Sequence, residues 1–197
     1  MTLKTAEDWN NEGNSFFAVQ QFNNAFICFY EAVKLKPDYL EALCNKGIAL
    51  RTLYEYEEAI ICLDKALELK PDYSEAWCNK GIALCGLKRY GESLFYLNEA
   101  IRLNPNQTGA WNNKGCSLLN LGLDEEALIC LEEALRQNPN YAGAWNNKGA
   151  ALTHLGRLHE ALVCFNEALR LNPYQTLYQH NKDAILRKLK TPIELVD

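Results

Sequence analysis

Small, apolar and polar side chains recur along the chain at a spacing of 34 residues, without insertion, through repeats at 6–39, 40–73, 74–107, 108–141 and 142–175. Trp9, Trp77, Trp111 and Trp145 occupy the fourth position of a repeat, with Leu43 in the second copy. Gly13, Gly47, Gly81, Gly115 and Gly149 hold position 8, and Ala25, Ala59, Ser93, Ala127 and Ala161 hold position 20. Phe29, Leu63, Leu97, Leu131 and Phe165 stand at position 24, Ala32, Ala66, Ala100, Ala134 and Ala168 at position 27. Pro37, Pro71, Pro105, Pro139 and Pro173 close each repeat at position 32.

This pattern predicts two packed helices per repeat. Glycine and alanine at positions 8, 20 and 27 let the helices approach closely, and the bulky residues fill the remaining volume. Proline lacks an N–H and disfavours helix in the residue before it, so the second helix must stop there. Asp38 and Asp72, each with a glutamate three residues on, Glu41 and Glu75, predict a capping box at the start of the next helix.

The tryptophan, glycine, alanine, alanine, proline frame resembles the tetratricopeptide repeat (TPR) family over residues 6–175. The resemblance implies an all-α fold, an α-solenoid of antiparallel helix pairs A and B in a right-handed superhelix, with the A helices lining a concave groove. A stack of this kind needs a capped end. Residues 176–190 continue the helix-A pattern, and Arg187, Lys188 and Lys190 suit the C-terminal dipole, so this segment is expected to be the capping helix. Residues 1–5 are then a lead-in and 191–197 a flexible tail.

On a wheel of 100° per residue, positions 4, 8 and 11 of helix A face one way and positions 2, 6, 9 and 13 the other. Position 6 is Asn11, Asn45, Asn79, Asn113 and Asn147, with Asn181 in phase on the cap. Asparagine is a middling helix former that competes for backbone hydrogen bonds, so its recurrence within helices calls for a reason. One reason is a ladder that grips a peptide backbone: an amide offers a carbonyl acceptor and two N–H donors. Packed helices ~8–10 Å apart would meet an extended chain, rising ~3.1–3.4 Å per residue, about every third residue. Some members of the resembling family use an asparagine at this position to hold ligand main chain. The alternative is that the amides bond to neighbouring repeats or face water.

Other positions on this face bear on specificity. Glu7, Glu41 and Glu75 at position 2 favour a neutral to basic ligand, although carboxylates near a helix N-terminus are favoured by the dipole in any case. Position 9 carries Asn14, Ile48, Ile82, Cys116 and Ala150. Position 5, at the edge, carries Asn10, Cys44, Cys78, Asn112 and Asn146. His154 and His180 lie near the groove with no nucleophile beside them and no evident orienting acid. The carboxylate clamp of one branch of the family, which resembles positions Asn10, Asn14, Asn45, Glu75 and Asn79 here, has its asparagines but lacks its cations.

Composition narrows the function further. A net charge of -5 and the lack of a basic stripe argue against nucleic acid as partner. The N-terminal residues lack a signal-peptide core, and no segment reaches the ~18–20 apolar residues of a membrane span, so a cytoplasmic protein with no membrane insertion is expected. Eight cysteines in that setting read as thiols, with Cys28, Cys62, Cys130 and Cys164 at one helix-contact position. Cys44, Cys78, Cys85 and Cys116 form no C-x-x-C pair, and no metal or other cofactor is expected. No phosphate loop or nucleophile elbow is present, so the expectation is a non-catalytic scaffold that binds a protein or peptide. A self-assembling homo-oligomeric scaffold is the second reading, prompted by Phe16, Phe17, Phe22, Phe26, Phe29 and Tyr30 in the first repeat. The terminal Pro192–Asp197 segment is similar to the acidic chaperone tails that such clamps bind.

Overall fold

A computed structural model of the chain describes residues 4–190, and every regular element among them is an α-helix. The expected tail and its chaperone-like end fall outside the described residues. The A helices are α1 (Ala6–Ala18), α3 (Leu40–Thr52), α5 (Ser74–Gly86), α7 (Thr108–Asn120) and α9 (Ala142–His154). The B helices are α2 (Phe22–Leu35), α4 (Tyr56–Leu69), α6 (Tyr90–Leu103), α8 (Asp124–Gln137) and α10 (Leu158–Leu171), followed by α11 (Thr176–Lys190). Each repeat thus yields the helix pair that its pattern predicts, in the same phase.

The helices form two compact bodies, Met1–Pro105 and Asn106–Asp197. In the first, α1 packs on α2, α3 on α4 and α5 on α6; α2 and α4 each pack on the following A helix, and α3 touches both α1 and α5. In the second, α7 packs on α8, α9 on α10, α8 on α9, and α9 touches α7 and α11. Turns this short make each pair antiparallel. The capping helix takes the place of a sixth A helix: Ile185 is buried in a cluster with Leu152, Cys164 and Phe165, and α11 packs on α10.

The close contact that defines a repeat is visible at position 8. A methyl group placed on Gly81 would stand 2.7 Å from Leu97 Cγ, and one on Gly115 2.7 Å from Leu131 Cγ. Position 24 therefore fills the space that the missing side chain leaves, as the pattern predicts. In the third repeat Ser93 stands in for alanine at position 20, and its hydroxyl donates to the Gly81 carbonyl at 2.8 Å. Tryptophan does more than fill volume: Trp77 Nε1 donates to the Pro71 carbonyl at 2.7 Å, and Trp145 Nε1 to that of Pro139 at 2.8 Å. Each indole ties its helix to the loop that precedes it.

Proline ends the B helices as expected. The residue before it, Lys36, Lys70, Asn104, Asn138 or Asn172, is the C-cap, with φ between -142° and -138°. The predicted capping boxes do not form. Tyr39 and Tyr73, not Asp38 and Asp72, are the N-caps of α3 and α5, and neither makes a side-chain cap. The aspartates stand one residue too early, in the turn that proline sets. A capping box forms instead at α1, between Thr5 and Asp8, whose carboxyl the Thr5 backbone and side chain hold below the usual range.

Candidate peptide-binding face

An A helix inside either body is covered on more sides than a two-faced wheel allows, because it meets its own B helix, the preceding B helix and neighbouring A helices. Ala42 and Ala49 on α3, and Ala144 and Ala151 on α9, are fully buried alongside the position 4, 8 and 11 residues. The open arc holds positions 2, 9 and 13 and most of position 6, but Asn79, expected on it, is buried at 8% exposure. Glu7, Asn14 and His154 are exposed there, and Ile48, Ile82, Cys116 and Ala150 are half-buried.

Position 5 does not belong to that arc, which corrects four expected specificity residues. Cys44 and Cys78 are buried, and burial pushes both thiols up to about 12. Cys44 packs with Leu43, Leu63 and Ala76 between repeats. Asn112 and Asn146 are buried as well. They face the next A helix, a contact invisible to the wheel of one isolated helix. Asn10 is likewise buried, 1% exposed.

These buried asparagines hold the position-6 row. In the first body Asn45 Nδ2 donates to Asn10 Oδ1 at 3.0 Å and Asn14 Oδ1 at 3.1 Å. Asn10 in turn donates to Glu41 Oε1 at 2.9 Å and weakly to Tyr39 Oη at 3.5 Å. In the second body Asn147 Nδ2 donates to Asn112 Oδ1 at 3.1 Å, and Asn112 Nδ2 to Tyr141 Oη at 3.3 Å. Asn181 Nδ2 donates to Asn146 Oδ1 at 2.8 Å, and Asn146 donates to Asn147 Oδ1 at 3.4 Å. Asn79 and Asn113 bond instead to their own helix, to the carbonyls of Glu75 at 2.8 Å and Gly109 at 2.7 Å. Asn11 is exposed. The amides are therefore not idle: Asn45 uses both N–H groups, while Asn79, Asn113, Asn147 and Asn181 each use one.

The tyrosines at the helix starts, Tyr39, Tyr73 and Tyr141, are the part of this network that pattern reading missed. Their recurrence at position 34 was the available signal. Tyr73 Oη donates to Glu75 Oε2 at 3.0 Å, and its burial, the Cys44 sulfur and Glu75 all push the phenol up. The position-2 acids are engaged too: Glu41 accepts from Asn10, and Glu7 lies 3.7 Å from Lys36 Nζ.

At the C-terminal end of the second body, Ala150, Thr153, His154, Asn181, Ala184 and Lys188 line a hollow of about 170 Å³. His154 does have an orienting acid, contrary to expectation: Nδ1 lies 2.8 Å from Asp124 Oδ1 at the start of α8. Thirty positions of sequence separate the two, so no local spacing reveals the pair. The first-repeat aromatics read as a self-assembly surface differ in burial. Phe29 is buried, Phe16, Phe17, Phe22 and Phe26 are half-buried, and Tyr30 is exposed. Among the described residues no helix is long and apolar enough to cross a membrane.

Helix pairs that complete one another's cores, with a row of amides on the A helices, define a helical-repeat interaction scaffold. Sequence profiles described as tetratricopeptide repeat match residues 40–73, 74–107 and 142–175, and a second such profile matches 109–141. These matches span more than half of the chain, which belongs to the tetratricopeptide repeat family. No curated protein matches the sequence. Among solved structures, the chain is similar to YrrB, a TPR protein with an unusual peptide-binding site, at 26% identity and a TM-score of 0.65, over 90% of this chain and 92% of that one. It is similar to TTC0263, a thermophilic TPR protein of Thermus thermophilus, at 21% identity and a TM-score of 0.80, over 93% and 100% of the two chains. The likeness to PilW, a type IV pilus biogenesis factor, has 22% identity and a TM-score of 0.84, over 95% and 87%. The fold is that of a protein–protein interaction scaffold.

Proposed function

We propose that the chain is a non-catalytic adaptor whose helix-A faces hold an extended segment of a partner protein, with the position-6 amides contacting the ligand backbone. The observation that carries this reading is that the amides are held in place by the fold and still have capacity left. Asn113, half-buried, retains one N–H and the carbonyl, enough to pair with both backbone groups of one ligand residue, and Asn79 retains the same two groups at only 8% exposure. Asn45, with both N–H groups engaged, offers only its carbonyl. Side chains fixed before the ligand arrives lose little entropy on binding. Each hydrogen bond contributes ~0.5–1.5 kcal/mol net, so modest affinity and broad sequence tolerance follow. Glu75 and Glu7 favour a neutral to basic segment. The peptide-binding site named for YrrB supports the same use of the fold.

Asn79→Ala with Asn113→Ala is the discriminating variant. Both amides bond to their own helix backbone, so alanine breaks no hydrogen bond between repeats and is the better helix former, and a thermal melt checks that the loss of the buried Asn79 side chain leaves the fold intact. A peptide array probed with wild type and variant should show broad loss of binding across sequences. Unchanged binding overturns the amide mechanism, and loss confined to a few sequences points to side-chain recognition instead.

A further inference from the structure

The outward side of the B helices carries an apolar residue at position 22 of every repeat. Ile27, Ile61, Phe95, Ile129 and Val163 are 55%, 58%, 59%, 66% and 64% exposed. Single exposed apolar residues are ordinary, but one repeat position accounts for this set, and each member is more than half exposed among the described residues. The charges around each member differ. Glu92 and Glu160, one turn before Phe95 and Val163, are held by Arg89 and Arg157 in bidentate pairs. Asn23 and Asn24 precede Ile27. On α4 and α8 alone, two exposed glutamates stand one turn before the apolar residue, Glu57 and Glu58 before Ile61, Glu125 and Glu126 before Ile129, and none of the four has an ion pair among the described residues.

On α8 the surface is concave. Leu128, Ile129 and Leu155 floor a groove of about 470 Å³, with Glu125 and Glu132 on its wall. Arg157, which also lines it, is neutralised by Glu160, and Glu132 is matched by Lys148 at 2.8 Å. The Glu125 carboxylate therefore sets the charge that an incoming group meets in the groove, with Glu126 exposed beside it on the same turn of α8.

We propose that the outer faces of α4 and α8 dock a basic amphipathic helix of a partner protein, with an aliphatic side chain against Ile61 or Ile129 and lysine or arginine against the paired glutamates. Charge complementarity selects this occupant: an acidic amphipathic segment meets a pair of carboxylates without an ion pair at each site, which on α4 outnumber the exposed Lys65 one turn beyond Ile61, and a purely polar one leaves the isoleucines wet. The site lies on B helices and is independent of the amides on the A helices.

The test uses the full chain and a labelled amphipathic peptide of about 15 residues, long enough for marginal helicity, with leucine on one face and lysine on the other. A counterpart carries glutamate in place of lysine. Fluorescence anisotropy should show salt-sensitive binding of the lysine peptide alone. Ile61→Ser with Ile129→Ser, or glutamine at Glu57, Glu58, Glu125 and Glu126, should each weaken it about tenfold or more, the range of interface anchors. Asn79→Ala with Asn113→Ala should leave it unchanged. The side chains altered on α4 and α8 are exposed, so the fold survives those changes, and circular dichroism checks this for every variant. The proposal is overturned if the two peptides bind alike, if neither binds, or if the outer-face variants bind as well as wild type. It is also overturned if wild type self-associates in light scattering and the serine variant does not, since the occupant is then a second copy.

Discussion

Asn147 Nδ2 donates to Asn112 Oδ1 across 3.1 Å, which joins a half-exposed amide on one A helix to a buried amide on the preceding one. The same linkage joins Asn181 to Asn146 at 2.8 Å and Asn45 to Asn10 at 3.0 Å. A buried asparagine is costly unless its hydrogen bonds are met, and here one partner also meets the need of the other. Asn112→Ala should destabilise by ~1–3 kcal/mol, because it removes a buried hydrogen-bonding amide and takes the acceptor from the Asn147 N–H. Asn147→Ala should cost about 1 kcal/mol. In a urea double-mutant cycle the two should couple by ~0.5–1.5 kcal/mol. Strictly additive effects would show that the pair does not act as a unit.

A second prediction concerns the contact between Gly81 and Leu97. A Cβ on residue 81 stands 2.7 Å from Leu97 Cγ and 3.3 Å from the Leu97 backbone nitrogen, so side-chain movement alone cannot clear it. Gly81→Ala should therefore destabilise by ~1–3 kcal/mol despite its better helix propensity. At ~2–4 °C per kcal/mol for a chain of this size, calorimetry should record a clear fall in Tm. Leu97→Ala costs ~2–5 kcal/mol by its cavity, and Gly81→Ala added to it should cost less than it does alone, because only the 3.3 Å approach to the residue 97 nitrogen remains. A rise in Tm for Gly81→Ala alone would refute the steric reading.

The turn between helices A and B needs a left-handed residue at position 15. Gly122 and Gly156 have φ of 75° and 74°, but Gln20, Tyr54 and Lys88 adopt 60°, 68° and 60° with a side chain. Lys88→Gly relieves this at an exposed site and should stabilise by a few tenths to about 1 kcal/mol. Gly122→Ala, with open space around it but the same φ, should destabilise by about 1 kcal/mol. Thermal melts of the two variants should move in opposite directions, and movement in the same direction would rule out backbone strain as the cause.

The helix pairs were legible because glycine at 8 and proline at 32 act locally, through a missing side chain and a missing N–H. The polar network was only half legible. Position 6 stood out as asparagine in every copy, but the wheel of one helix placed Cys44 and Asn112 on its edge, whereas a solenoid helix has a third neighbour there. Asp38 and Asp72 fit a capping spacing yet lie in the turn set by the preceding proline, so tyrosine became the N-cap. Asp124 and His154, thirty residues apart, meet only once the helices stack.

The thiols offer a test of that third contact. Cys28, Cys44, Cys62, Cys78, Cys130 and Cys164 are buried, and Cys85 and Cys116 are half-exposed. A disulfide reagent at pH 8 should therefore modify two thiols quickly in the native protein and the rest at the rate of opening. Burial raises the Cys44 and Cys78 thiols from 9.0 to about 12. In the unfolded chain they ionise near 9, so the stabilising difference is complete below pH 9 and is lost as pH rises toward 12. Stability should fall with pH across that window, and less steeply in Cys44→Ala with Cys78→Ala once other alkaline titrations are subtracted through the wild-type comparison. If Cys44 reacts as fast as Cys116 at pH 8, position 5 of the A helix is open to solvent and the asparagines beside it are not held as described.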